Sequence, residues 1–241
     1  MRIDLAGKAA VVTGASKGIG YAVAADLVRS GAGVVLCARG RAEVEEAAAR
    51  LSKEGPGVAV AVACDVRDHD DVRRLIATAG ERFGRIDVLV NNAGIGGGFA
   101  PMGELTPETW RAVIETNLNG VYYTCHEVLP YMMRQGEGWI INIGSLAGRN
   151  PFAGGAAYNA SKFGLLGFTE ALMLDVRDAG IRVSTIMPGS VATHFSGGGA
   201  RGGDAWKLWP EDVAEAVIDL LAYPGRALPS RIEMRPSRPR K

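Results

Sequence analysis

The sequence predicts an α/β protein, built as one doubly wound parallel sheet with helices on both faces in a single domain over residues 1–241. Short apolar runs alternate with stretches of helical apolar spacing, which is the pattern of parallel strands joined by crossover helices. Glycine clusters follow several of the apolar runs, where a backbone approaches a ligand closely. A chain of 241 residues is also long enough to bury one full core.

Composition excludes several classes of function. The protein has 47% hydrophobic residues, 22% charged residues and a net charge of +1, so no electrostatic field attracts nucleic acid or membrane lipid. Cys37, Cys64 and Cys125 are odd in number and widely spaced, so we expect neither a disulfide framework nor a metal site. No signal-peptide core and no membrane-length apolar run is present. We therefore expect a cytoplasmic protein that binds neither nucleic acid nor membranes.

The N-terminal segment reads as a strand, a glycine turn and a helix. An apolar run at 8–12 leads into the turn at 13–20, and helical spacing begins at Tyr21. Glycines in such a turn let the backbone approach a pyrophosphate at the positive end of the helix. The spacing is Gly-x-x-x-Gly-x-Gly, which departs from the Gly-x-Gly-x-x-Gly fingerprint of dinucleotide sites. An ordinary glycine-rich turn is the alternative.

The second predicted strand, Gly33–Ala38, ends without an acidic residue. An acid at this position bonds the ribose 2′-hydroxyl of NAD, whereas an arginine accommodates the 2′-phosphate of NADP. Arg39 follows the strand, and Lys17 in the glycine turn supplies a second cation for the same phosphate. The sequence therefore favours NADP(H), and the alternative is that both cations are merely solvated.

The third predicted strand leads into an acidic segment. Asp65 either accepts a hydrogen bond from an adenine amino group or caps the helix that begins near Asp68. His69 has no evident partner and is expected at the surface. The fourth strand ends in Asn-Asn-Ala-Gly at 91–94, whose small residues suit a chain packed beside a cofactor. Later strands are predicted at 139–144 and 181–187.

A long helix is predicted over 107–133, with Thr106 as its N-cap and Pro107 in its first turn. Asn117 lies in its largely apolar middle, where a buried amide needs partners. It either serves the site or satisfies a helix carbonyl. Gly120 predicts close packing, because glycine in mid-helix costs roughly 1 kcal/mol against alanine.

The segment from Ser145 to Lys162 carries the candidate chemistry. Tyr158 and Lys162 are four residues apart at the start of a predicted helix over 157–178, so both lie on one face. An ammonium beside a phenol lowers the phenol pKa from about 10 towards neutrality, where acid-base catalysis is most efficient. Ser145 ends a predicted strand and is placed to polarise a substrate oxygen. A lone Tyr-x-x-x-Lys pair also arises by chance in amphipathic helices.

Six motifs in order make residues 5–222 resemble the short-chain dehydrogenase/reductase family, in its smaller single-domain branch. The motifs are 13–20, 91–94, Asn117, Ser145, 158–162 and 188–193. The resemblance implies a Rossmann-like fold and hydride transfer between NADP(H) and a small-molecule carbonyl or secondary alcohol. It implies that Tyr158 is the acid-base residue and that Ser145 orients the substrate oxygen. Lys162 would bind the nicotinamide ribose, and Asn117 would hold a water in a proton relay. The residues implied to line the cofactor are Gly14, Ser16, Lys17, Gly18, Ile19, Gly20, Arg39, Asp65, Val66, Asn91, Ala93, Gly94, Tyr158, Lys162, Pro188, Gly189, Val191 and Thr193.

Two departures limit what the resemblance carries over. The C-terminus lacks the Thr-Gly-x-x-x-x-Val-Asp-Gly-Gly strand of many relatives, which puts their usual tetramer contact in doubt. The segment at 193–210 is short and glycine-rich where relatives often carry a helical lid, so the substrate is not transferred. We expect 194–209 to form a mobile lid with flanking aromatic anchors; a solvated connector is the alternative.

We expect a homodimer or homotetramer, because the helices at 107–133 and 157–178 carry more apolar surface than one sheet-packing face requires. The residues behind this expectation are Tyr122, Tyr123, Val128, Leu172 and Met173. Two other functions compete with the carbonyl reductase. One is a 3-oxoacyl-thioester reductase acting on an acidic carrier protein, with Arg149 and Arg201 as candidate contacts. The other is a catalytically silent NADP-sensing protein.

Overall fold

The computed structural model describes residues 3–193, 195 and 205–238, and its seven strands form one sheet of order β3-β2-β1-β4-β5-β6-β7. The strands are β1 (Ala9–Thr13), β2 (Gly33–Ala38), β3 (Val58–Ala63), β4 (Val88–Asn91), β5 (Gly138–Ile143), β6 (Ile181–Pro188) and β7 (Arg231–Met234). Every neighbouring pair is parallel. The strand order reverses at β1, which lies between β2 and β4, and ligands of such sheets bind at this switch point. The predicted doubly wound parallel sheet is confirmed.

Helices cover both faces of the sheet. They are α1 (Gly18–Arg29), α2 (Arg41–Leu51), α3 (His69–Phe83), α4 (Pro107–Ile114), α5 (Gly120–Gln135), α6 (Ala156–Val176) and α7 (Pro210–Ala222). One core cluster joins α1, α2 and α7 to the sheet, and a second joins α3, α5 and α6 to the opposite face. Successive strand residues enter alternate clusters, as Val11 and Val12 do, because side chains alternate across a strand. Among the described helices, none has both the length and the apolarity that a bilayer crossing demands.

The long helix predicted over 107–133 is interrupted. A π-helical turn, Glu115–Asn119, separates α4 from α5, and Thr116 and Asn117 are buried in that turn. The predicted start of the helix is confirmed, because Thr106 is its N-cap and the Thr106 hydroxyl accepts from the Thr109 N–H at 3.2 Å. Gly120 packs closely as predicted, because a Cβ there would lie 2.9 Å from Val66 Cγ2. Apolar periodicity does not reveal an inserted residue in a helix, so the π turn was not predicted.

The start of α3 corrects two predictions. Asp68 caps this helix by accepting from the N–H groups of Asp70 and Asp71. Asp65 is therefore not the cap, and its carboxylate accepts instead from Arg67. His69 is not partnerless, because its Nε2 lies 2.7 Å from Glu127 Oε1 on α5.

The seventh strand was not predicted. Residues of β7 are alternately exposed and partly buried, so the segment lacks the apolar run that marks the other strands. It extends the sheet beside β6, with Thr185 paired to Arg231. The Met234 carbonyl accepts from the Gly189 N–H at 2.8 Å, which brings the chain after β7 to the carboxyl end of β6.

Candidate active site

Two adjoining cavities lie at the carboxyl ends of the central strands. The larger, of about 870 Å³, contains the glycine turn after β1. The smaller, of about 580 Å³, contains the end of β5 and the start of α6. The residues that line both are Ile19, Asn92, Gly94, Thr193 and Phe195. An extended ligand can therefore occupy both cavities at once.

The glycine turn is built on backbone conformations that favour glycine. Gly14 and Gly18 have φ values of 65° and 61°, in the left-handed region. A Cβ on Gly14 would lie 2.9 Å from Ala93 Cα, and one on Gly20 would lie 2.5 Å from the Gly14 carbonyl oxygen. No side chain of the described residues caps the first N–H groups of α1. The turn thus presents free N–H groups and a positive helix end to the larger cavity, which suits a phosphate.

Side-chain hydrogen bonds connect the end of β4 to the end of β1. The Asn92 amide donates to the carbonyl oxygens of Thr13 and Gly14, both at 3.0 Å. The Thr13 hydroxyl in turn accepts from the N–H groups of Asn92 and Ala93. These bonds hold the glycine turn against the chain that separates the two cavities.

Asn91 and Gly20 are the implied cofactor residues that line neither cavity. The Asn91 side chain is buried, donates to Asn142 Oδ1 at 2.9 Å and accepts from the Thr124 hydroxyl at 2.6 Å. The neighbouring Asn92 lines both cavities instead. Strand alternation explains this placement, because Asn91 is the last residue of β4 and its side chain faces the core.

Ser145, Tyr158 and Lys162 all line the smaller cavity. Ser145 follows β5, and its hydroxyl accepts from the Ala147 N–H at 3.1 Å, which fixes the turn into the next segment. Tyr158 and Lys162 stand on the first turns of α6, with Lys162 Nζ 5.8 Å from the centre of the Tyr158 ring. Lys162 is buried, and its ammonium donates to the Ile143 carbonyl at 2.9 Å. The structure thus brings the three residues together at the end of β5.

Burial sets the protonation of this group. It raises the pKa of the Tyr158 phenol, while the neighbouring Ser145 hydroxyl acts in the opposite direction. It also lowers the pKa of Lys162 to about 8. The prediction that Lys162 brings the pKa of Tyr158 down is not confirmed, because desolvation raises that pKa. Tyr158 is therefore a protonated phenol at neutral pH.

Asn117 hydrogen-bonds two segments of the chain that border the site. Its Oδ1 accepts from the Ile95 N–H at 2.8 Å, and its Nδ2 donates to the Ile95 carbonyl at 2.9 Å and to the Ser161 hydroxyl at 3.0 Å. The alternative that it satisfies a carbonyl of its own helix is wrong. Asn117 lines neither cavity. It ties the loop after β4 to α6, one residue before Lys162.

Three aromatic rings surround Tyr158, and the sequence analysis singled out only one of them, Phe195, as an anchor of the predicted lid. The ring centres of Phe99, Phe152 and Phe195 lie 5.7, 6.5 and 5.6 Å from that of Tyr158. Phe99 and Phe152 belong to no motif, and only the folded chain brings them to the cavity. Phe195 comes from the predicted lid; His194 and 196–204 lie outside the described residues. Arg235, after β7, also lines this cavity.

The larger cavity fits the ribose phosphate end of a dinucleotide. Lys17 and Arg39 are exposed, line the cavity, and form no ion pair with another described residue. Hydrogen bonds from Arg67 and the charges of Arg67 and Arg39 lower the pKa of Asp65, which stays ionised. The remaining implied residues that line one or both cavities are Gly14, Ser16, Gly18, Ile19, Val66, Ala93, Gly94, Pro188, Gly189, Val191 and Thr193.

Comparisons with known proteins agree with this geometry. Residues 8–199 match the family model described as short chain dehydrogenase. An uncharacterised oxidoreductase of Staphylococcus saprophyticus is 38% identical over 97% of this chain and 99% of its own.

Two solved structures share the fold over nearly their whole length. A metagenomic short-chain oxidoreductase in complex with NADP is 38% identical, covers 97% of this chain and 99% of its own, and gives a TM-score of 0.85. The 3-ketoacyl-(acyl-carrier-protein) reductase of Brucella melitensis, complexed with NADH, is 30% identical over 95% of this chain and 97% of its own, with a TM-score of 0.87. The chain belongs to the short-chain dehydrogenase/reductase family and is an oxidoreductase of that family.

Proposed function

We propose that the protein transfers a hydride between NADP(H) and a carbonyl or secondary alcohol, with Tyr158 as the acid-base residue. The observation that carries this proposal is the meeting of Ser145, Tyr158 and Lys162 in a cavity that adjoins the glycine turn. One cavity supplies proton transfer and the other suits a dinucleotide.

Tyr158 and Ser145 have different roles at the substrate oxygen. In reduction, the Tyr158 phenol gives its proton to the carbonyl oxygen, to which Ser145 donates a hydrogen bond. In oxidation, the phenolate takes the proton from the alcohol. The Lys162 ammonium would hold the ribose hydroxyls of the cofactor, and its charge would offset part of the cost of burying the phenolate. The nicotinamide cofactor supplies or accepts the hydride when bound.

The charges around the larger cavity favour NADP(H). Arg39 replaces the acidic residue that would read the ribose of NAD, and Lys17 faces the same cavity. The solved NADP complex of a 38% identical relative supports this choice. Two observations favour NAD(H) instead. A 30% identical relative was solved in complex with NADH, and the acidic residue Glu43 lines the larger cavity. We propose NADP(H) because two cations, Lys17 and Arg39, can both form charge-assisted hydrogen bonds with the dianionic 2′-phosphate.

The proposed function is tested by following NADPH oxidation with a panel of ketones, aldehydes, quinones and 3-oxoacyl thioesters. We expect turnover of at least one carbonyl class that disappears in a Ser145→Ala variant. Tight NADPH binding without turnover of any class would contradict the proposal and favour an NADP-sensing protein.

The second candidate is a 3-oxoacyl-thioester reductase that accepts substrate from an acidic carrier protein. Arg235 lines the smaller cavity, and Arg149 is exposed nearby in the fold, since both guanidinium groups bond the Glu233 carboxylate. Arg201 lies outside the described residues. Within the panel, a carrier-bound thioester reduced much faster than the same acyl group on a small thiol would select this candidate.

A further inference from the structure

Two of the three histidines of the chain meet on the surface formed by α3 and α5. His69 is the first residue of α3, and His126 and Glu127 are neighbours on α5. His69 Nε2 lies 2.7 Å from Glu127 Oε1, and His126 Nδ1 lies 3.1 Å from the same oxygen. One ligating atom from each residue lies within 4.8 Å of the other two. Neither the proposed hydride transfer nor the two cavities use this group.

The group has the composition and spacing of a transition-metal site. Imidazole nitrogen and carboxylate oxygen bind Zn²⁺ at about 2.0–2.2 Å, so two ligand atoms of a tetrahedral site lie about 3.3 Å apart. The present separations, from 2.7 Å up to the 4.8 Å limit, bracket that value. Small side-chain rotations therefore suffice, with no change in the helices. The carboxylate balances one charge of the ion.

Packing holds the site open towards solvent. The His69 ring stacks on Tyr123 with centres 4.9 Å apart and an interplanar angle of 22°, which restricts its orientation. The side chains of His69 and His126 are 39% and 58% exposed, so an ion can enter and a water can complete the coordination. Glu127 is 19% exposed and lies between the two rings.

We propose that His69, His126 and Glu127 bind one zinc ion or a similar divalent transition-metal ion, and so join α3 to α5. The imidazoles bind the ion through lone pairs, so in each ring the nitrogen that faces Glu127 carries no proton when the ion is bound. The sequence analysis expected no metal site on the evidence of the cysteines alone. His69 and His126 are 57 positions apart and form no short ligand motif that the sequence would show.

The test is calorimetric titration of Zn²⁺ into the chelator-treated full chain, made without a histidine tag. We expect one ion per chain. His69→Gln or His126→Gln should raise the dissociation constant about tenfold or more. His194→Gln is the matched control, since it removes the third histidine, and it should leave the dissociation constant unchanged. Cobalt(II) added to the same samples should give the visible absorption of a tetrahedral site.

A shift in melting temperature provides an independent measurement. Zinc should raise the melting temperature of the parent and of His194→Gln, but not that of His126→Gln, because an ion bound only by the folded state stabilises it. His126 is the more exposed of the two histidines, so this variant should fold even if His69→Gln does not. Zinc binding that is absent in the parent, or that all three variants retain equally, would overturn the proposal.

Discussion

Burial makes the environment of Lys162 at the candidate site unfavourable for its charge. It is buried, it pairs with no carboxylate of the described chain, and burial lowers its pKa from 10.5 to about 8. At pH 7 the folded protein therefore holds a desolvated ammonium whose hydrogen-bond partner is the Ile143 carbonyl. Such a group destabilises the fold, and the proposed role of Lys162 in binding the cofactor would account for its presence.

We predict that Lys162→Met raises the free energy of unfolding by about 1–3 kcal/mol at pH 7 while abolishing turnover. Because the folded pKa lies below the unfolded one, the unfolded chain binds more protons between pH 8 and 10.5, and the parent gains stability as pH rises through that window. The variant lacks this gain. Denaturant unfolding at pH 7 and pH 10 measures both effects, and a variant less stable than the parent at pH 7 would refute the argument.

Arg39 is expected to determine the choice of cofactor. A charge-assisted contact contributes roughly 1.5–3 kcal/mol, so Arg39→Ala should weaken NADPH binding about tenfold or more and NADH binding little. Arg41→Ala is the matched control, because Arg41 is exposed, pairs with Glu45 and does not line the cavity. Binding constants for both cofactors give the answer. Equal weakening of NADPH and NADH by Arg39→Ala would contradict the phosphate contact.

At the scale of elements, sequence patterns predicted what depends on local composition. Buried parallel strands are short apolar runs, so β1 to β6 were found within a few residues, and Thr106 and Pro107 fixed the start of α4. Features created by distant contacts were not found. The π turn around Asn117, whose side chain bonds Ile95, and the ring of Phe99 beside Tyr158 depend on partners remote in sequence.

The packing of α5 against the chain after β3 gives an element-scale prediction. A Cβ on Gly120 would lie 2.9 Å from Val66 Cγ2 and 3.0 Å from the Val66 carbonyl oxygen. We expect Gly120→Ala to lower the free energy of unfolding by about 1–3 kcal/mol, despite the higher helix propensity of alanine. Adding Val66→Ala should restore part of the loss. Denaturant unfolding of the single and double variants measures this, and a stabilised Gly120→Ala variant would show that the contact is loose.

At the scale of the whole molecule, exposed apolar side chains on α5 and α6 suggest assembly. Tyr122 is 49% exposed, and on α6 Phe163 and Leu174 are 44% and 55% exposed. Val128 and Leu172, which the sequence analysis counted as surplus surface, are instead buried in the core. Tyr122, Phe163 and Leu174 do not pack on the sheet, so their exposed apolar surface is free to contact another copy of the chain.

We predict a homo-oligomer whose contact includes α6. Light scattering at micromolar concentration should give a multiple of 25.3 kDa for the parent and a smaller mass for Leu174→Glu. Met102→Glu is the control, because Met102 is 72% exposed and lies in the loop before α4. A parent of monomer mass, or a Leu174→Glu variant of unchanged mass, would refute this contact.

The central claim is that Tyr158 transfers the proton while other residues hold the dinucleotide. The measurement that tests it most directly is turnover and NADPH binding in Tyr158→Phe, which removes one hydroxyl and keeps the ring among Phe99, Phe152 and Phe195. We predict that turnover with the best substrate of the panel falls by about 10²- to 10⁴-fold, while the dissociation constant for NADPH stays nearly unchanged. Turnover within about tenfold of the parent, with NADPH still bound, would contradict the account.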